Sequence, residues 1–337
     1  MNDAAYTCFV GIDIAADTFS MAWRTADATC KKAMTCKQTP SGFRALVRNL
    51  PKSHVVEHTL ILMEATSTYW IPLATHLYDL GYAVCVVNPL RAHGFARTML
   101  QRSKTDTIDA RMLAQMAEKF RFDLWSPPPQ IYEELRQRLD QRAHLVHIRT
   151  QEKNRLHALK RRQPAISAVL KRTKDFITYL DKQIAEIDKE IKQVLHTDEA
   201  WATSATCLMS IPGIGKTLTA MLLVTTLNFT TCTSAKQLVS YAGLAPREFQ
   251  SGKSIHRRPY IGHAGNTNLR RMLYMGAMSA IRHNMPLKAF YERLLANGKH
   301  KKVALCAVAR KLLCMAFGVV KHQTNFDPNY ENLKTVA

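Results

Sequence analysis

Paired cysteines, long unbroken apolar runs and acidic residues are what this sequence has least of. Its eight cysteines stand at positions 8, 30, 36, 85, 207, 232, 306 and 314, and none forms a Cys-x-x-Cys pair, which argues against a zinc ribbon. Their scatter does not suggest a disulfide framework and no signal peptide opens the chain. A reducing compartment is therefore expected, namely the cytoplasm. The longest apolar stretch, Val303 to Val320, is broken by Arg310 and Lys311, so neither a transmembrane helix nor a membrane partner is expected. Asp and Glu number only 26 against 47 Lys and Arg, a net charge of +21 over 337 residues. That balance excludes a typical acidic metabolic enzyme and points to a polyanionic partner. Apolar residues make up 47% of the chain, enough for a packed core.

The positive charge is unevenly placed. Residues 1–130 carry 14 basic and 11 acidic side chains, residues 131–200 carry 15 and 11, and residues 201–337 carry 18 and 4. Between Arg142 and Lys174 there are ten basic residues and a single acid, Glu152. A basic run is often only a solvated helix face, but imbalance in two separate regions favours phosphate contact, with binding that weakens steeply as salt rises. The candidate contacts are Arg142, Arg149, Lys153, Arg155, Arg161, Arg162, Lys171 and Arg172, then Lys253, Arg257, Arg258, Arg270 and Arg271.

Residue patterning divides the chain into three expected domains, 1–129, 130–200 and 201–337. In the first, the apolar run Cys8 to Ile14 predicts a buried strand, with further strands near 19–24 and 29–36. Ser41 is a plausible N-cap for a helix to Leu50. Strands at Thr59–Met63 and Tyr82–Val87, a helix over 70–80 stopped by Gly81, and a helix from Asp106 to Phe120 complete an order βββ-α-β-α-β-α. That is the order of a ribonuclease-H-like α/β fold with a mixed sheet. The second segment reads as helical, with Ile177, Leu180, Ile184, Ile187, Ile191 and Val194 forming a coiled-coil-type seam. Either self-association or a helical hairpin within one chain satisfies it. The third segment is mainly helical. Its Ser210-Ile-Pro-Gly-Ile-Gly-Lys216 resembles a helix-hairpin-helix turn that offers N–H groups to a phosphate, and two helices are expected near 269–284 and 301–320.

Four acids stand where metal chemistry would need them. Asp13 and Glu64 end two apolar strands, and Asp106 and Asp109 lie three apart at the start of a helix, on one face. Oxygen-only donors suit Mg²⁺ or Mn²⁺, and a pair of such ions serves phosphodiester chemistry. Taken singly, Asp106 reads equally as an N-cap and Asp109 as a first-turn acid facing the helix dipole. Asp13 at an apolar strand end requires a partner or a metal.

Gly11-Ile-Asp-Ile-Ala15, Met63-Glu-Ala-Thr-Ser-Thr-Tyr69, Asn88-Pro89 and Lys104-Thr-Asp-Thr-Ile-Asp-Ala-Arg111 together resemble the DEDD-type insertion-sequence transposases. This is the IS-one-ten family, which includes bridge-RNA-guided recombinases and pilin-gene invertases. Ser210 to Gly215, Ala242-Gly-Leu-Ala-Pro246 and Ser251-Gly252 resemble that family's second domain, in the family's order. Ser67 departs from the pattern, because many members have Gly there. The resemblance implies a RuvC-like domain binding Mg²⁺ through Asp13, Glu64, Asp106 and Asp109, a helical coiled-coil linker, and a C-terminal transposase domain. In that last domain Ser251 would attack DNA and become covalently linked to it, with Lys253 and Arg257 beside it. It also implies donor and target DNA, a structured noncoding guide (bridge) RNA and a homo-oligomer, dimer to tetramer. A serine in a Gly-rich loop is otherwise an ordinary turn residue, with Ser254 a competitor on spacing. The alternatives are a site-specific invertase on the same fold, a junction-resolving nuclease using metal-activated water, and a nucleic-acid-binding protein without catalysis.

Overall fold

The computed structural model describes residues 6–29, 33–99, 105–251 and 255–329, with the backbone alone at 248–251 and 255–258. The chain divides into two compact units, Met1–Pro127 and Pro128–Ala337. The helical segment 130–200 belongs to the second.

The first unit is a five-stranded mixed sheet with helices. Strands β1 (Cys8–Ile14), β2 (Thr18–Thr25) and β3 (Met34–Lys37) form an antiparallel meander, while β4 (Thr59–Glu64) and β5 (Ala83–Val87) join β1 in parallel. The spatial order is β3-β2-β1-β4-β5. The three parallel strands are apolar on both faces, as a sheet covered on two sides requires. Val10, Ile12, Ile14, Ile61 and Met63 pack on one face with Phe43, Leu46, Leu73 and Leu77 from α1 (Pro40–Arg48) and α2 (Ile71–Asp79). Leu60, Leu62, Cys85 and Val87 pack on the other with residues of α3 (Pro89–Thr98) and α4 (Asp106–Lys119).

Three local expectations need correction. Helix α1 is capped by Thr39, whose Oγ1 accepts from the Gly42 N–H, with Pro40 in the first turn, so Ser41 lies inside the helix and is not its cap. Helix α3 has no counterpart among the expected elements: Asn88-Pro89 closes β5 and also opens a helix, the Asn88 side chain accepting from the Leu90 N–H. In the second unit the same is true of the helix Met285–Ala296, which also opens on an Asn cap followed by an early proline.

The second unit is helical apart from one β-ribbon. Helices α5 (Gln130–Leu159) and α6 (Ser167–Val194) form an antiparallel hairpin. Ile177, Leu180, Ile184, Ile191 and Val194 are buried, so the seam packs within one chain. Arg138–Glu190, Arg142–Asp188 and Arg149–Asp181 ion pairs at 3.0, 2.6 and 2.8 Å cross the hairpin. The ends of both helices join a core made by α7 (Glu199–Met209), α8 (Lys216–Thr226), α9 (Ala235–Tyr241), α10 (Thr267–His283), α11 (Met285–Ala296) and α12 (Lys301–His322). By length and composition α12 is apolar enough to cross a membrane. Val308, Leu312, Leu313, Met315 and Val319 are instead buried among the other helices, which accounts for its apolarity. Strands β6 (Arg247–Ser251) and β7 (Ile255–Tyr260) form the ribbon between α9 and α10. All seven cysteines among the described residues are free thiols.

Candidate active site

The carboxylates of the first unit are brought together by register and by one glycine. Ile12 of β1 pairs with Met63 of β4 in parallel register, so Asp13 and Glu64 are the next residues on adjacent strands. Alternation places both on the sheet face that carries Leu60 and Leu62. That face is covered by α4, whose first turn holds Asp106 and Asp109. Gly11, two residues before Asp13, lets the helix in: a Cβ there would stand 2.1 Å from the Ala110 carbonyl oxygen and 2.2 Å from the Ala114 nitrogen. No side chain fits between β1 and α4 at that level, so the helix lies hard against the strand at Ala110–Ala114, just past the first turn that holds Asp106 and Asp109. In the sequence Gly11 is only one member of a motif; the close approach is its physical reason.

Capping does not account for Asp106. The α4 cap is Thr105, whose Oγ1 accepts from the Ile108 N–H at 3.3 Å, leaving Asp106 as the first residue of the helix proper. Asp13 is pushed up to about 6, first by burial and then by the negative charges of Asp109, Asp106 and Glu64; a hydrogen bond from the Ile14 backbone acts the other way. Among the described residues no three His, Cys, Asp or Glu side chains stand close enough together to hold an ion as they are placed. The donor set nonetheless fits a hard divalent cation. It is all oxygen, and the three carboxylates that raise Asp13 are the remaining members of the predicted set. The unit thus gathers negative charge at one end of its sheet, an arrangement that favours binding a cation and disfavours the metal-free charged state.

Ser67, in the loop after β4, has φ +52°. A left-handed backbone favours glycine, which gives a physical reason for Gly at this position in the family that the motifs resemble.

The predicted nucleic-acid contacts of the second unit fall into different groups. Arg142 meets Asp188 with two hydrogen bonds, at 2.6 and 3.2 Å, and Arg149 meets Asp181, so both are bound up in the hairpin stem. Lys153, Arg155, Arg161, Arg162, Lys171 and Arg172 are exposed around the turn that joins α5 to α6, Arg155 with a 3.5 Å contact to Glu152. Arg271 is exposed on α10, whereas Arg270 donates to two backbone carbonyls. Ser251 ends β6, paired with Ile255, and Arg257 and Arg258 lie on β7; their side chains, with all of Lys253 and Ser254, lie outside the described residues.

In the Ser210–Lys216 turn the two glycines have separate duties. Gly213, at φ +110°, is wedged against α10, where a Cβ would come within 2.6 Å of Ala280 Cβ and 3.0 Å of the Gly276 oxygen. It serves packing. Gly215 has open space beside it and starts α8 without a side-chain cap. The same unit holds a cationic cluster that the sequence patterns do not reveal: Lys311 Nζ stands 4.5 Å from the Phe290 ring centre and Arg293 Cζ 5.5 Å from it. Burial and then the Arg293 charge pull Lys311 below the usual lysine range.

Comparison with known proteins identifies the family. Residues 10–161 fit a DEDD-type IS110 model described as "Transposase", and residues 205–292 fit one described as "Transposase IS116/IS110/IS902 family". Pilin gene-inverting proteins of Moraxella bovis and Moraxella lacunata are each 35% identical over 322 residues, spanning 95% of this chain and 97% of theirs. The chain belongs to the IS110 transposase family. A more distant relative, the transposase for insertion sequence element IS1328 of Yersinia enterocolitica, is 28% identical over 282 residues, 75% of this chain and 81% of its own. As an IS110-family transposase the protein is an enzyme of DNA recombination, one that cleaves and rejoins DNA strands.

Proposed function

We propose that this IS110-family protein is an RNA-guided DNA recombinase of an insertion sequence, and that it cuts and rejoins strands through a phosphoserine bond at Ser251. The carrying observation is that Asp13 and Glu64 follow one another in register on adjacent strands, on the sheet face covered by the helix that opens with Asp106 and Asp109; the strand order of that sheet is compatible with a ribonuclease-H-like (RuvC-like) domain. Asp13, Glu64, Asp106 and Asp109 hold Mg²⁺ or Mn²⁺. When bound, the cation supplies positive charge against the phosphate on which charge develops. Asp13 and Glu64 are fixed by strand register and Asp106 and Asp109 by a helix start, so the site is set on rigid elements.

Ser251 Oγ bonds to phosphorus as its hydroxyl proton passes to water, and the bridging bond to one deoxyribose oxygen breaks; that oxygen keeps the bonding pair, takes up a proton from water and leaves as a hydroxyl. Attack by a second DNA hydroxyl on the phosphoserine reverses the exchange and restores the serine. Bond energy is conserved throughout, and no nucleotide cofactor is consumed. The exposed cations around the hairpin turn meet the phosphates of a structured guide RNA. Donor and target DNA are the substrates, acted on by a homo-oligomer in the bacterial cytoplasm.

The pilin gene-inverting relatives favour a second reading, site-specific inversion on the same scaffold with DNA read by protein contacts. Labelled DNA incubated with protein, candidate RNA and Mg²⁺ and run on a denaturing gel tests both. A protein–DNA band that requires RNA and vanishes in Ser251→Ala supports the first reading, and an RNA-independent band supports inversion. Free 5′-phosphate ends with no band would instead mean hydrolysis by water.

A further inference from the structure

The ribbon that carries Ser251 is short, five residues on β6 and six on β7, with a register shift between Arg247 and Phe249. A two-stranded ribbon has little stability of its own, so its direction is set where the chain enters and leaves it. On the way in lies Gly243, just after α9, and on the way out lie Ala264 and Gly265, just before α10.

We propose that Arg270, expected from the sequence to touch nucleic acid, is a positioning residue that clamps this neck and so aims the ribbon bearing Ser251. Its Nη1 donates to the carbonyl oxygen of Ala264 at 2.9 Å and to that of Gly243 at 3.3 Å, one from each side of the neck. The Asn266 N–H donates to the Tyr241 oxygen at 2.9 Å, closing the same gap one step further back. Gly243 and Gly265 have φ +70° and +94°, and the two backbones touch. A Cβ on Gly265 would lie 2.6 Å from the Gly243 Cα, and one on Gly243 would lie 2.1 Å from Arg270 Nη1 and 2.3 Å from the Ala264 oxygen. Glycine at both positions lets the guanidinium reach both carbonyls. Arg270 is itself fixed on α10, whose Asn266 cap accepts from the Leu269 N–H. Both bonds leave the one Nη1 nitrogen, which the flat guanidinium holds at a set place beyond the helix; a lysine ammonium can also donate twice, but from a more flexible stem of different reach, so it restores the clamp only in part.

The inference rests on Ser251 being the nucleophile, and the experiment separates the two. Full-length protein with labelled DNA, RNA and Mg²⁺ is assayed for the rate of covalent adduct, for DNA affinity across a salt series, and for hydrogen exchange at the Asn266 amide. Arg270→Gln is expected to slow adduct formation about a hundredfold, the cost of misplacing a reacting group by an ångström. Its DNA affinity, salt slope and melting temperature should stay near wild type, while the Asn266 amide exchanges faster. Arg270→Lys should recover part of the rate, and Gly243→Ala, which changes no charge, should repeat the defect. A reduced salt slope with a normal adduct rate at saturating DNA would return Arg270 to the nucleic-acid surface. Loss of rate together with a collapsed melting temperature and no recovery in Arg270→Lys would also overturn the proposal, leaving Arg270 a general fold residue. An adduct persisting in Ser251→Ala would sink the nucleophile reading alone, since the exchange at Asn266 still reports on the clamp.

Discussion

In the first unit the charges that matter are negative and sit on β-strands and a helix start; in the second they are positive and sit on long helices. The first unit uses one rigid face, where Gly11 admits α4 and strand register sets Asp13 beside Glu64. Asp13 is raised there, first by burial and then by its like-charged neighbours. The second unit neutralises some of its cations internally and leaves others in water. Arg138, Arg142 and Arg149 are paired across the hairpin stem, while Arg161, Arg162, Lys171 and Arg172 are exposed near its turn. Equal residue types in one basic block therefore have different fates, decided by whether an acid stands across the seam.

The contrast breaks most visibly at Asp13. Asp13→Asn should abolish strand cleavage, a loss on the order of a thousandfold or more by analogy with removal of a main electrostatic catalytic group. DNA and RNA binding should be unchanged or slightly tighter, because a negative charge has been removed. Cleavage at the wild-type rate, or cleavage indifferent to EDTA, would detach the acids from the chemistry.

Next in size is a test of stem against turn. Replacing Arg161, Arg162, Lys171 and Arg172 by Gln should weaken RNA binding and flatten its dependence on log salt by roughly 0.7–0.9 for each phosphate that is no longer neutralised. Arg142→Gln with Arg149→Gln should leave that slope alone and lower stability by about 1 kcal/mol in total, the scale of partly exposed ion pairs. Equal slopes in the two variants would erase the distinction. RNA titrations at several salt concentrations, with thermal melts, decide it.

A smaller effect concerns pH. Asp13 binds its proton more tightly in the folded chain, near pH 6, than in the unfolded one, near 3.8. The folded state is thus favoured most at low pH in this respect, and that advantage is lost as pH rises from about 4 through 6. Mg²⁺ should therefore raise the melting temperature more at pH 8 than at pH 5, and Asp13→Asn should remove most of the difference. An equal Mg²⁺ effect at both pH values would show that this cluster does not hold the ion. Smallest of all, Ser67→Gly should relieve the left-handed backbone at a gain of up to about 1 kcal/mol, reduced by the greater freedom of glycine in the unfolded chain. A lower melting temperature would show that the serine side chain does more than tolerate the turn.

The mixed sheet was legible because strand runs and their turn residues are local signals, and the four acids were legible because strand ends and an i, i+3 pair follow from the same pattern. Helices α3 and α11 were not, and for one reason: each opens on an Asn cap with an early proline, a signature that also ends a strand or marks a turn. Thr39 takes the cap that Ser41 was expected to hold, because Pro40 suits a first helical turn. Ile184 and its neighbours announce a seam but carry no sign of their partner, which lies on α5 of the same chain. The fates of Arg142, Arg149 and Arg270 are hidden for a related reason. Asp188, Asp181 and the Ala264 carbonyl are distant along the chain or lack any side-chain signal.

The cross-ties of the hairpin also fix its alignment lengthwise. Arg142 faces Asp188 and Arg149 faces Asp181. If α6 slid past α5 by four residues, Arg142 would meet Lys192 in one direction or Ile184 in the other, and Arg149 would meet Ala185 or Ile177. Either slip strands a cation against an apolar or like-charged neighbour, so the two helices have one preferred alignment and resist shear. A helix of 28 residues rising about 1.5 Å per residue is roughly 42 Å long. Locked in this way, the hairpin has the build of a strut: a pull applied at its turn, as the proposed nucleic-acid contact there would apply it, would pass down its length to the helical core instead of being absorbed by slippage.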